Sequence, residues 1–240
     1  GLQLGPPPVS PEKMGNLEAV VAGICDSPVE TVPGTSVHYS ALCAHAIIAE
    51  MVRRVEGQNV SFREIMQRDL FEPLGMQETS LGRRADLASR VCPVVARYAS
   101  EGLFDPAGII GLDMLVTETA EIPAGGYVTS AGDMNIFANM LLNGGEWNGV
   151  RILSPAMINL IMTNQTGEKV NNIWSYTKAT KGWDTFPANL GLGFFLRGEG
   201  IFPHWFGSMA SPESFGGMGS GSTMFWVDPE QRGILPLDSF

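Results

Sequence analysis

At Leu190 the hydrophobic pattern of the chain changes period. Before it, apolar residues recur at helical spacing; after it, short apolar runs are separated by Gly and Pro turns. Strands are expected over 193–197, 214–218, 222–227 and 233–237. Helices first and a meander of strands afterwards implies an α+β fold with an antiparallel sheet. The expected layout is a mainly helical and loop region over 1–189 and antiparallel strands over 190–240, within a single domain. With 44% hydrophobic residues, the chain has enough apolar material for a sizeable core.

Within the first region a short helix is expected over 11–24, with Ser10 as its N-cap and Pro11 at its first position. The next periodic segment, 39–55, carries Leu42, Ala46, Ile47, Ala49, Met51 and Val52 and reads as a mostly buried helix, with Gly57 just past its end. Residues 61–70 form another, opened by the capping-box pair Ser61 and Glu64 and stopped by Pro73. Residues 75–126 read as loop and short elements. Helices follow over 130–142, ended by Gly144-Gly145, and over 154–162, opened by Ser154-Pro155. The polar stretch 165–190 reads as a long surface excursion.

The net charge of −10 gives an acidic surface that repels phosphate backbones, so nucleic acid is excluded as a partner class. No apolar run approaches the roughly 20 residues that span a bilayer. Three scattered cysteines, Cys25, Cys43 and Cys92, make no disulfide framework. His38, His45 and His204 have no metal-ligand spacing with cysteines or carboxylates, so no metal and no other cofactor is expected.

Seven short stretches then carry a family signal by their order. They are Pro33-Gly34-Thr35 leading to His38-Tyr39-Ser40; Phe71-Glu72-Pro73-Leu74-Gly75-Met76 with Thr79-Ser80; Pro123-Ala124-Gly125-Gly126 with Thr129-Ser130-Ala131-Gly132-Asp133; Leu141-Leu142-Asn143-Gly144-Gly145 with Ile152-Leu153-Ser154-Pro155; Gly191-Leu192-Gly193-Phe194; Phe215-Gly216-Gly217; and Phe225-Trp226-Val227-Asp228-Pro229-Glu230. Together they resemble the serine β-lactamase-like and penicillin-binding-protein-like hydrolases, above all class C β-lactamases and their carboxylesterase relatives. The resemblance implies a β-lactamase/transpeptidase-like fold and acyl transfer to a serine in a Ser-x-x-Lys helix turn. Such chemistry needs an activated hydroxyl and amide donors at the developing oxyanion.

On this resemblance Tyr39 is the proton-handling catalytic residue. Its phenol, with an ordinary pKa of about 10, needs a nearby cation to act as a base. Phe215, Gly216 and Gly217 are the substrate-binding strand, standing where β-lactamases carry Lys-Thr-Gly and esterases often Trp-Gly-Gly. Ala41 stands where the family often has Asn. Both departures imply an ester or amide substrate of the carboxylesterase kind rather than a β-lactam.

Literal Ser-x-x-Lys occurs at Ser10-Pro11-Glu12-Lys13 and Ser175-Tyr176-Thr177-Lys178. Ser10 reads as a helix cap and Ser175 as part of the polar excursion, so neither is taken as the nucleophile. Gly1-Leu2 resembles the tail of a stretch that follows the family's nucleophile helix. That segment is therefore expected to be missing, and Gln231 onward to be shorter than the family's ending. Gly217-Met218-Gly219-Ser220-Gly221 misses the Gly-x-Ser-x-Gly spacing, and His204 reads as a packed or surface histidine. The expected function is that of a serine hydrolase for a small ester or amide. The rivals are a non-catalytic binding or regulatory protein on the same fold, and a D-amino-acid peptidase or β-lactamase. An incomplete sheet leaves an exposed edge through which copies are expected to associate.

Overall fold

A computed structural model of the protein describes residue 2 and residues 7–40, 42–57, 59–95, 106–172, 174–219 and 223–235. They fall into two compact units, Gly1–Ser130 and Ala131–Phe240. The fold is of the α+β class, with helices and antiparallel strands.

In the first unit the segment expected to be one helix is two. Pro11–Lys13 makes a single 3-10 turn, and α1 begins only at Leu17 and runs Leu17–Cys25. The cap is Asn16, whose side-chain oxygen accepts from the Ala19 N–H at 2.9 Å. Ser10 makes no cap bond; its hydroxyl is bonded to the Glu12 carboxylate. Helix α2, Cys43–Glu56, starts later than its hydrophobic period suggests and ends at Gly57, which takes φ 105°. Its small residues Cys43, Ala46 and Ala49 are buried and let α1 pack closely with Leu17, Val20, Val21 and Ile24. The opposite face is open: Met51, expected inside, is 61% exposed, and Ile48 and Val55 are exposed with it.

Ser61 caps α3, Phe62–Met66, in a complete capping box. The Glu64 N–H donates to Ser61 Oγ at 3.1 Å, and the Ser61 N–H donates to Glu64 Oε2 at 2.8 Å. Pro73 does not stop this helix. The chain widens into a π-helical turn over Gln67–Phe71, continues as α4, Glu72–Leu74, and stops at Gly75 in the left-handed conformation. The turn's last bond runs from the Glu72 N–H to the Gln67 carbonyl, five residues back. Strand β1, Ser80–Leu81, pairs antiparallel with β2, Tyr127–Val128, which lies on the far side of α5, Pro106–Leu115. Helix α5 was not expected; Gly108 and Gly111 weaken its helical signal.

The second unit opens with α6, Ala131–Leu142, which buries Asp133, Ala138, Met140 and Leu141. A hairpin follows: β3, Glu146–Trp147, and β4, Val150–Arg151. Its turn residues Asn148 and Gly149 both have positive φ, 48° and 81°. Ser154 caps α7, Pro155–Ile161, accepting from the Met157 N–H at 3.1 Å. The stretch read as a surface excursion contains α8, Trp174–Lys181, and buries Asn171, Trp174, Phe186, Ala188 and Asn189. Its polar composition hides a core made of a few aromatic rings.

The four strands expected at the end of the chain form one antiparallel sheet in the order β5 (Phe195–Leu196), β6 (Phe215–Gly219), β7 (Thr223–Asp228), β8 (Gly233–Leu235). Phe215 faces Val227 and Gly217 faces Phe225 across β6 and β7. Helix α6 packs on this sheet, and Phe137 meets Phe225 edge-on at 5.9 Å. Rings from residues 202–206 reach other positions of the sheet: Trp205 meets Phe195 at 4.7 Å and Phe206 meets Trp226 at 5.9 Å.

Candidate active site

Tyr39 belongs to the first unit. A tight turn at Pro33-Gly34 precedes it: Gly34 takes φ 83°, and Thr35 bonds the Val32 carbonyl through its N–H at 3.2 Å and its hydroxyl at 2.7 Å. Tyr39 itself is in neither helix nor strand and is half-buried, three residues before Leu42, the cap of α2. Burial pushes its phenol above its ordinary value of 10. That is the opposite of what a tyrosine base needs, so an additional cation would have to reverse it. Ala41 lies outside the described residues.

Phe215, Gly216 and Gly217 belong to the second unit, side by side on β6. Phe215 is fully buried and packs edge-on against Phe194 at 5.5 Å. A Cβ on Gly216 would lie 2.1 Å from the Phe225 carbonyl oxygen and 2.7 Å from Trp226 Cα, so close approach of β7 demands glycine there. At Gly217 a Cβ would meet only the Phe225 ring, at 3.2 Å. Strand β5 pairs with Phe215 and Gly216 and no further. On that side of β6, Gly217, Met218 and Gly219 therefore face no strand among the described residues.

The two literal Ser-x-x-Lys motifs have different surroundings. Ser10 and Lys13 are exposed on the 3-10 turn. Ser175 and Lys178 do lie on a helix, α8, but Ser175 is exposed and the Lys178 ammonium donates to the Thr185 hydroxyl. Ser220 and Gly221 of the near-elbow lie outside the described residues.

His204 is a packed residue. Its ring lies 4.6 Å from Phe206, and its Nδ1 accepts from the Phe206 N–H at 3.2 Å. Burial, with help from the nearby Arg197 charge, pushes its pKa down to about 4. Sequence reasoning took Asp228 only as part of a motif. It is in fact a buried anchor: Ser211 donates its hydroxyl to Oδ1 at 2.6 Å and its N–H to Oδ2 at 3.2 Å, and the Gln231 N–H donates to Oδ1 at 3.0 Å. Burial alone raises the pKa of this carboxyl, but its hydrogen bonds outweigh burial and hold it below the usual carboxylate value. Among the described residues no group of His, Cys, Asp and Glu could hold a metal ion, and no helix is long and apolar enough to cross a membrane.

The sequence profile of the beta-lactamase family matches residues 1–235. The chain belongs to the beta-lactamase family. No curated protein matches it. Solved structures share the beta-lactamase/transpeptidase-like fold. A beta-lactamase from Mycobacterium bovis is 24% identical with a TM-score of 0.57, over 87% of this chain and 58% of its own. A family VIII carboxylesterase is 19% identical with a TM-score of 0.72, over 97% and 61%. A penicillin-binding-protein homologue from Caulobacter crescentus is 19% identical with a TM-score of 0.69, over 95% and 59%. The chain thus spans about three fifths of the length of these beta-lactamase-family structures.

Proposed function

We propose that the protein is a serine hydrolase of the carboxylesterase kind, cleaving a small ester or amide through an acyl-enzyme. The observation that carries this reading is that β5 pairs with Phe215 and Gly216 only, so Gly217 faces no strand on that side of β6 among the described residues. In the proposed reaction a serine oxygen bonds to the substrate carbonyl carbon, and a backbone N–H of β6 stabilises the oxyanion. The tetrahedral intermediate then expels the alcohol or amine, which takes up the serine's proton through Tyr39. Water afterwards cleaves the acyl-serine bond by the reverse sequence.

In this proposal the nucleophile is neither Ser10, exposed at the 3-10 turn, nor Ser175, exposed on α8 with its motif partner Lys178 engaged by Thr185. Self-association through the β6 side that β5 leaves uncovered belongs to the same proposal.

The test assays the product of the natural reading frame and the 240-residue chain in parallel, on p-nitrophenyl esters and on nitrocefin, with fluorophosphonate labelling and peptide mapping. The reading expects ester turnover exceeding nitrocefin turnover, lost on Tyr39→Phe. Labelling of Ser10 or Ser175, or nitrocefin turnover exceeding ester turnover, would overturn it. Light scattering of the 240-residue chain tests association; a stable monomer at all concentrations refutes that part.

A further inference from the structure

The second unit holds an open cavity of 560 Å³ between the loop that leaves α8 and the loop that follows β5. That volume lies within the range of small-molecule sites. Its aromatic residues are Trp183, Phe186 and Phe202, and Glu168, Asp184 and Glu199 also line it. No lysine, arginine or histidine lines it, and none of the three carboxylates is ion-paired among the described residues.

The aromatic wall is held from behind. Phe186 and Phe202 stack with planes 11° apart at 5.2 Å, and Phe186 also meets the buried Trp174 at 4.9 Å. Arg197, 3% exposed, places its guanidinium carbon 4.8 Å from the Phe202 ring centre. It also donates to the carbonyls of Gly198, Gly200 and Ser208. The Phe202 loop is thereby tied down, and a rigid wall loses little freedom on binding.

Aromatic faces attract cations, and the chain already uses them so: Lys181 Nζ lies 5.2 Å from the Trp183 ring centre. We propose that the Trp183–Phe186–Phe202 cavity binds a hydrophobic organic cation, an aryl- or alkyl-ammonium. The Trp183 ring offers its face to the positive charge in place of Lys181, the half-buried Phe202 in front of Phe186 contacts the apolar body, and the carboxylates supply a local negative potential. Inorganic cations lack the apolar body, and anions are repelled by the three acids. The proposal does not depend on the hydrolase reading; the site would bind whether or not the chain turns over an ester.

The probe is benzyltrimethylammonium, titrated into the full chain by calorimetry and tryptophan fluorescence, with benzyl alcohol and benzenesulfonate as neutral and anionic counterparts. Saturable binding is expected for the cation, weakening with added salt, and at least about threefold weaker binding for the alcohol. Trp183→Ala and Glu199→Gln are each expected to weaken the cation by about two- to fivefold. Lys181→Gln removes the competing ammonium and is expected to strengthen it. Should Trp183→Ala fail to fold, the exposed Glu199→Gln and Lys181→Gln variants carry the test. Equal binding of alcohol and cation overturns the proposal. So does an affinity unmoved by both Glu199→Gln and Lys181→Gln, or no saturation by about 10 mM, a concentration that would fill a site of about 1 mM Kd to about nine tenths.

Discussion

Asp228→Ala should unfold the second unit well before the first. The carboxylate accepts three hydrogen bonds, two from Ser211 and one from Gln231, and sits at 5% exposure. Ser211 is itself buried, so its N–H loses its acceptor outright, while its hydroxyl can turn only to Ser214 Oγ at 3.3 Å. Each buried donor left without a partner costs about 1–3 kcal/mol. The Gln231 N–H lies nearer the surface and can turn to solvent. The loss then comes to about 3 kcal/mol, or about 12 °C in Tm for a unit of this size. All five tryptophans, Trp147, Trp174, Trp183, Trp205 and Trp226, lie in the second unit, so fluorescence melting reports that unit alone. Asp228→Asn retains the shape but sets an NH2 group against one donor, and is expected to lose about half as much.

The pH dependence gives this prediction its sign. The folded pKa of Asp228 lies below its unfolded value of 3.8. Its contribution is therefore complete above pH 4 and lost as pH falls through the depressed folded value. The gap between wild type and Asp228→Asn should close in that window. A loss under about 1 kcal/mol for Asp228→Ala, or a gap unchanged from neutral pH to below pH 3, refutes the reasoning.

Gly216→Ala places a methyl 2.1 Å from the Phe225 carbonyl and should cost about 3 kcal/mol, whereas Gly217→Ala, against a ring edge at 3.2 Å, should cost less than about 1 kcal/mol; urea unfolding followed by fluorescence separates them. Ser61→Ala removes the hydroxyl half of the capping box, leaving the backbone N–H of residue 61 bonded to Glu64, and should cost the first unit about 1 kcal/mol, read by circular dichroism of thermal unfolding. The His204 imidazole, with a folded pKa of about 4 against 6.5 unfolded, should stay neutral through pH 5 in an NMR titration. Its depressed value means that the associated stability is complete above pH 6.5 and declines as pH falls toward 4; titration near 6.5 would contradict its packing.

The sheet and several helix starts were legible because short-range rules decide them. The four terminal strands lie close to their expected positions, since aromatic runs between Gly and Pro turns leave few alternatives. Ser61 and Ser154 cap as their spacing indicates. The misses have physical causes. Two glycines weaken α5, and α8 is Trp-Ser-Tyr-Thr-Lys-Ala-Thr-Lys, rich in hydroxyl and β-branched residues with low helix propensity. Tertiary contact through Trp174 overrides that propensity. Strands β3 and β4 have two residues each, too short for any alternation, although Asn148-Gly149 was itself a hairpin signal. At the candidate site, the glycine identities were legible but the reason at Gly216 was not. That reason is a cross-strand approach to Phe225 and Trp226, which depends on register. The anchor at Asp228 joins residues 17 apart in sequence, so no local pattern marks it.

The widened turn over Gln67–Phe71 fixes how the motif after it can be spelled. A five-residue bond occupies the helix where a four-residue one would stand, so the turn holds one residue more than an α-helix of the same rise. That surplus rotates everything downstream by about 100°. It brings Phe71, Leu74 and Met76 all inward, with Phe71 edge-on to Tyr127 at 6.2 Å, and lets Pro73 sit one residue before the final turn ends. Wound as an ordinary helix of unchanged length, the same segment would swing those three anchors toward solvent together, whereas removing one residue of 67–70 along with the widened turn would leave them in place. The length of the turn, as much as the letters of the motif, is what the fold reads.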